Sequence, residues 1–553
     1  MKGPDRGYLH PFSDGRCFQY GVGEYPRTLT ELAMSKASDW IRSKSNWWTL
    51  YHVNSIREKW SAEIRTRVWI VVSSTASVPV QLSEKQVQYV LDELAGYDAL
   101  RDQPGCEVAC SDRIWRSSHV LSDTAIVRLQ YELEALWTSR PRKRSSKSVA
   151  SVDFIDPLLY SFIYGQTLSH SPSSTLYSVP APSSTTMNEY ATSPRFAYIP
   201  TPFLISEKET ALKATALSYI NNVNPDNLSL YQCLQELVAN CIPLFERVLT
   251  DLHRNNPLRH RIPDTYTYTD WDEPDEPEDS DEEEWSDYRT QLARWTIERP
   301  INLPDIPKEG YVGGLEKRQH VVSLRGRTIQ VVIRATEIRL APFGPACRKT
   351  PWHVEGMRND HIVACALYCT QAVNIEAPEV MFRMAVSHPK DWEPEDAGGI
   401  WRTWGFRHMF PCHQTLGGVN LCPGIGIAFP NVYQHRFTDI TAVDQRKAAS
   451  MTFLGLFLVD PDLTEDNVLG EETLTPSTSQ VPPQQKEWIR DAVNRYINPR
   501  LPNEIVEQIV DEIEGLLTEE EAFVLSEQMR TEREEFWELH DRRWFCLPFD
   551  SRH

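Results

Sequence analysis

The 553-residue chain contains no run of about 18 apolar residues, which excludes a membrane-spanning helix. Its opening, MKGPDRGYLHPFSDGR, lacks the apolar stretch of a secretory signal. Positive charge is scarce: 57 Lys and Arg against 77 Asp and Glu leave a net charge of −20. Nucleic-acid binding, which relies on clustered cations displacing counterions, is therefore not expected. The eleven cysteines are odd in number and form no framework. Cys106 and Cys110, and Cys365 and Cys369, are paired by spacing, but neither pair meets a second pair at zinc-finger distance. Buried or free thiols in an intracellular, cytoplasmic protein without a membrane partner are the expectation. The basic segment 139–147 (SRPRKRSSK) reads as an exposed loop, with a nuclear address as the alternative.

What is present is enough for a large interior. The chain has 17 Trp and 21 Tyr, and its length implies roughly three to four domain-sized units. Residues 1–150 read as an α-rich region, with Thr28-Leu-Thr-Glu31 as a capping box and a helix near Lys85 to Leu100. Residues 151–319 read as helical, notably Lys208 to His253. Two interruptions break this part: a Ser/Pro-rich insertion at Ser169 to Ser193 and the run Asp270 to Asp287, whose twelve carboxylates suggest a self-repelling solvated loop.

From Val321 the grammar changes to β-branched alternation, VVSLRGRTIQVVIRATEIRL. Further strands are expected at Ile362 to Tyr368, Gly424 to Phe429 and Thr452 to Val459. Short strands without intervening helices point to a closed or two-sheet β architecture over 320–465. Residues 466–553 read as C-terminal helices, with a capping box at Thr518-Glu-Glu-Glu521. The fold class expected is α+β.

The chemistry-bearing residues lie in PWHVEGMRND (Pro351 to Asp360) and PGIGIAFPNVYQHRF (Pro423 to Phe437). On a strand, side chains i and i+2 share a face, so His353 and Glu355 can reach one ion together. Of the fifteen histidines only His353 has a carboxylate at +2. His435 follows an apolar strand that can return it beside the first two. Two imidazoles and one carboxylate on one face leave open positions on Fe(II). A core histidine beside a structural salt bridge explains the same residues equally well at this point.

The chain resembles, over most of its length, a mainly fungal family named only as a domain of unknown function. The resemblance rests on VDFIDPLLYSFIYGQT (Val152 to Thr167), ALSYINNVNP (Ala216 to Pro225), CIPLFERVLTDL (Cys241 to Leu252) and SLRGRTIQVVI (Ser323 to Ile333). It continues through WHVEGMRND, IAFPNVYQHR, LFLVDP (Leu456 to Pro461) and VPPQQ (Val481 to Gln485). That family's catalytic half looks like the 2-oxoglutarate and Fe(II)-dependent oxygenases. The resemblance thus implies a double-stranded β-helix (jelly-roll) core, Fe(II) held by His353, Glu355 and His435, 2-oxoglutarate as co-substrate, and a small organic substrate.

One departure qualifies the implication. The family pattern places an Arg-Lys pair where this chain has Met451 and Thr452. In the wider oxygenase superfamily a basic residue after the distal histidine pairs with the far carboxylate of 2-oxoglutarate, and a buried carboxylate without such a partner is costly. Arg446, eleven residues after His435, is the first choice for that role. An iron enzyme that does not use 2-oxoglutarate, and a non-catalytic interaction protein retaining the fold, are the rival readings. The cysteine pattern carries its own test. Alkylation of denatured, natively isolated protein is expected to label all eleven thiols without reductant; several intact disulfides would contradict it.

Overall fold

In the computed structural model the residues described are 7–12, 23–101, 105–138, 151–170, 175–182, 189–207, 211–269, 272–278, 281–394, 396–463, 475–497 and 501–551. The basic segment 139–147 lies outside them.

The helices begin where side chains satisfy their first N–H groups. Helix α1 (Leu29–Arg42) starts at Thr28, whose hydroxyl accepts from the Glu31 amide at 3.1 Å. The reciprocal half of the expected box is absent, because Glu31 turns inward and accepts from the Arg261 amide at 2.9 Å. Helix α2 (Glu84–Leu100) has a full capping box between Ser83 and Gln86, and buries Val87, Val90, Leu91 and Leu94 on one face. Helix α3 (Leu228–Leu252) starts at the Asn227 cap. It is shorter than the helical reading of Lys208 to His253, because 214–216 is used as a strand and Pro225 precedes the cap.

Two further readings change. The C-terminal part of the acidic run is not loop: Asp281 caps helix α4 (Glu282–Glu298), and Glu282, Glu283 and Glu284 occupy its first turn, where the helix dipole favours negative charge. The Ser/Pro-rich insertion contains a short antiparallel pair, Leu168–His170 with Leu176–Ser178. The last long helix, α5 (Glu519–His540), starts with the capping box expected at Thr518 and Glu521.

Twelve strands build the two sheets that matter for the site. They are β1 (Glu107–Val108), β2 (Trp115–Ser117), β3 (Ser151–Ile155), β4 (Thr201–Ile205), β5 (Ala214–Ala216), β6 (Thr328–Leu340), β7 (Ile362–Val373), β8 (Glu379–Ala385), β9 (His413–Asn420), β10 (Gly426–Pro430), β11 (Gln434–Phe437) and β12 (Ala449–Val459). The larger sheet runs β5-β4-β6-β12-β7-β10-β2-β1, with β3 pairing the free edge of β6; the smaller runs β9-β8-β11. All these pairings are antiparallel.

Alternation along the strands separates two faces of the larger sheet. Ile333, Ala366, Ala428, Leu454 and Leu456 join the core beneath α3 and the N-terminal helices. Val332, Cys365, Leu367, Ile427, Phe429 and Phe457 face the other way and pack with Val380 and Phe382 of β8. The site lies on this second side, between the sheets. Each fully buried large aliphatic or aromatic side chain in these layers contributes about 1.5–3 kcal/mol, so the frame is held mainly by apolar burial.

Candidate metal centre

His353 precedes β7 in a short extended segment. It exchanges two backbone hydrogen bonds with His435 of β11: His353 N–H donates to the His435 carbonyl at 3.2 Å, and His435 N–H to the His353 carbonyl at 3.0 Å. The chain then turns sharply at Gly356, where φ is +68° and an added Cβ would lie 2.9 Å from the Asp360 side chain. That turn needs glycine. It sends Glu355 toward both histidines, although the segment is not a regular strand.

The three side chains converge. Their candidate ligand atoms all lie within 4.8 Å of one another. Glu355 Oε1 is 3.6 Å from His353 Nε2 and 3.5 Å from His435 Nε2. These separations are long for hydrogen bonds and leave the nitrogens and the oxygen facing a common point. His353 Nδ1 donates to the Pro351 carbonyl at 2.9 Å, which leaves Nε2 as its ligating atom. All three residues are buried, with exposures of 7%, 7% and 1% in chain order. Burial works to raise the Glu355 carboxyl pKa, but the two imidazoles facing it, His353 and His435, outweigh that effect and hold the group well below the usual carboxylate range. Burial and the His353 charge push His435 down to about 4, so its imidazole is neutral at pH 7 and free to ligate.

The surrounding side chains fix this arrangement. Asn431 accepts from the Glu355 amide at 2.8 Å and donates to the Glu355 and Ile362 carbonyls at 2.8 and 3.0 Å. Trp352 has two guanidinium groups against its ring, Arg383 at 4.6 Å and Arg436 at 4.3 Å from its centre. The Phe429 ring packs on His435 at 4.8 Å, and Trp537 of α5 lies against His353 at 4.6 Å. None of Asn431, Trp352 or Trp537 was singled out in the sequence. Asn431 had a weak signal, as a polar residue in FPNV at the end of an apolar strand; Trp537 had none.

Arg446 is corrected by the structure. It is exposed in the turn before β12, and its amide donates to Asp444 Oδ1 at 3.0 Å. The triad lies at the other end of that strand, since Val459 is paired with Ile362, whose carbonyl Asn431 binds. Eleven strand residues separate the two ends, about 30 Å. Met451 is fully buried but also belongs to the far end.

Arg334 of β6 is the cation the structure brings near instead. Phe429, Cys365, Phe457 and Val332 form one inward-facing rung across four strands beside His435. The next rung on that face is Ile427, Leu367, Gly455 and Arg334, about 7 Å farther along. Arg334 Nε and Nη2 donate to Asp153 of β3 at 3.2 and 3.1 Å. The side chain is 34% exposed; its partial burial opposes the charge, but Asp153 and then Glu355 outweigh that effect.

A cavity of about 530 Å³ elsewhere, walled by α2 and the segment 311–319, is not the site. Its buried charges are matched in pairs such as Arg261–Glu93 at 2.8 Å and Arg318–Asp251 at 2.6 Å, and no metal-ligand cluster lies there among the described residues.

Asn431 makes the local account testable. Asn431→Ala strands the Glu355 amide and two carbonyls, each orphaned group costing roughly 1–3 kcal/mol. Chemical denaturation is expected to show a loss of at least about 2 kcal/mol; a loss below about 0.5 kcal/mol would mean the clamp is unimportant.

Among solved structures, the chain is similar to the Fe(II)/(alpha)ketoglutarate-dependent dioxygenase TqaL, at 10% identity over 65% of this chain and 96% of that one, with a TM-score of 0.22. It is also similar to a bsmA homolog from Methylobium petroleophilum PM1, at 10% identity over 61% and 84%, with a TM-score of 0.21. A 2OG-Fe(II) oxygenase family oxidoreductase from Burkholderia pseudomallei matches at 10% identity over 27% of this chain, with a TM-score of 0.15; the chain spans half of that protein's length. Likenesses at this level carry no weight for the fold or the chemistry. No curated protein matches the chain. Two family models do, one for an N-terminal domain of unknown function over residues 2–63 and one over residues 84–492. The second covers well over half of the sequence, and the chain belongs to the family described as Protein of unknown function (DUF4246).

Proposed function

We propose that the chain is a non-haem Fe(II), 2-oxoglutarate-dependent oxygenase that oxidises a small organic substrate. The observation that carries this reading is the convergence of His353 Nε2, His435 Nε2 and Glu355 Oε1 on one buried point. Two imidazole nitrogens and one ionised carboxylate suit Fe(II) and leave coordination positions open. Bound there, Fe(II) would supply the O₂-activating redox chemistry that 2-oxoglutarate couples to substrate oxidation.

The two sheets are read as a double-stranded β-helix. Support comes from the strand order β6-β12-β7-β10 on one side, and on the other from the His353 segment followed by β11, β8 and β9. The chain's own residues then have separable tasks. Asn431 and the His353–His435 backbone pair hold the donors in place. Phe382, Phe429 and Cys365 wall the inner side and exclude water.

In this reading Arg334, not Arg446, anchors the far carboxylate of 2-oxoglutarate. Its rung lies one step from the triad, within reach of a five-carbon dicarboxylate, and Nη1 makes no hydrogen bond among the described residues. Buried Met451 favours a second reading, an iron enzyme that does not use 2-oxoglutarate. Titration of the anaerobic Fe(II) protein with 2-oxoglutarate separates the two. Arg334→Met is expected to weaken 2-oxoglutarate binding about tenfold or more, the scale of a lost charge-assisted hydrogen bond, and to spare Fe(II) binding. Arg446→Ala should bind like the parent. No 2-oxoglutarate binding by the parent would favour the second reading, and an unaffected Arg334→Met would remove the anchor assignment.

A further inference from the structure

Helix α5 packs against the site. Trp537 lies on His353, Arg530 reaches Asp156 at 3.2 Å, and Met529 joins the core between the sheets. One turn before Trp537, on the same face, is Arg533. Its side chain is 4% exposed, yet none of its three guanidinium nitrogens makes a hydrogen bond with a described residue. Its charge contact is with Asp360, Nη2 to Oδ2 at 2.7 Å, without the alignment of a hydrogen bond. Asp360 is itself shared out, accepting from the Met357 amide at 2.6 Å and the Tyr198 amide at 2.8 Å. The neighbouring Glu532 turns to the Ser193 hydroxyl at 2.9 Å, and its carboxyl is pushed up, chiefly by burial.

The guanidinium sits 5.2 Å from the Tyr198 ring. Burial raises the Tyr198 phenol pKa, and the charges of Arg533, Glu355 and Arg334 are all felt there. Arg533 thus contacts Asp360, five residues after Glu355, and lies one turn from Trp537, which packs on His353, so it stands beside the metal centre. Asp360 answers the charge, but Nε and Nη1 have no acceptor among the described residues, and a carboxylate is an anion that such N–H groups bind well. Arg334 belongs to β6 of the larger sheet and Arg533 to α5, so the two cations approach the metal centre from different elements.

We propose that Arg533 binds a carboxylate of the primary substrate, making that substrate an organic acid held between α5 and the metal centre. Calling the acid the substrate rests on the oxygenase reading; the anion site itself does not.

The test measures binding rather than turnover. Calorimetry on the full chain, with and without Fe(II) and 2-oxoglutarate, would use hexanoate, phenylacetate and indole-3-acetate, each against its neutral amide. At least one acid is expected to bind about tenfold or more tightly than its amide. Arg533→Gln should abolish that preference, Arg533→Lys should restore part of it, and both should keep the parent's Fe(II) and 2-oxoglutarate affinities. No acid-over-amide preference in the folded parent overturns the proposal, whether or not the variants fold. So does a preference that survives Arg533→Gln, or a loss in that variant of 2-oxoglutarate binding instead. An acid preference that depends on Arg533 in a parent that binds neither Fe(II) nor 2-oxoglutarate would leave the anion site standing and remove the oxygenase reading.

Discussion

Glu355 is an ionised carboxylate with 7% of its surface exposed, and the site is organised around the cost of keeping it there. A charge taken out of water persists only when other groups replace its hydration. Here the replacement is two imidazoles whose Nε2 atoms stand at 3.5 and 3.6 Å from one oxygen. The distances exceed good hydrogen bonds, so the histidines alone compensate the charge incompletely. A divalent cation at the common point would complete the compensation, and the donor set matches one.

That arrangement depends on chain segments far apart in sequence. The reciprocal backbone bonds between His353 and His435 tie the segment before β7 to β11, and Asn431 ties Glu355 to the end of β10. The larger sheet supplies the rigid floor, since α3 buries its apolar face on the opposite side. The C-terminal helix supplies the roof: Trp537 rests on a candidate ligand and Arg533 pairs with Asp360, five residues after Glu355. Floor, walls and roof thus come from different parts of the chain, and the donors are held by backbone geometry rather than by long flexible side chains.

The sequence pointed to these three residues because their signals are local. The i, i+2 spacing of His353 and Glu355 and the apolar strand before His435 survive without knowledge of the fold. The core strands were legible for the same reason, through β-branched alternation. What failed required register. Counting residues from His435 favoured Arg446, but the connection to β12 is long enough to leave that residue in an exposed turn. Arg334 stands about a hundred positions upstream of His435, and only the pairing of β6 with β12 brings it to the rung next to the triad. Arg533 was hidden differently: among the charged residues of EEEAFVLSEQMRTEREEFWELH, one buried arginine has no distinguishing mark until the helix is docked. The acidic run misled because charge density alone does not separate a solvated loop from the first turn of a helix, where the dipole favours carboxylates.

The central claim is that His353, Glu355 and His435 hold one iron. Crystals of the protein loaded anaerobically with Fe(II), measured on both sides of the iron absorption edge, test it directly. The account predicts one anomalous peak per chain, about 2.0–2.2 Å from His353 Nε2, His435 Nε2 and Glu355 Oε1, on the scale of N/O ligation to a divalent metal. A peak elsewhere in the chain, or none at this point under conditions that saturate the protein with iron, would contradict it.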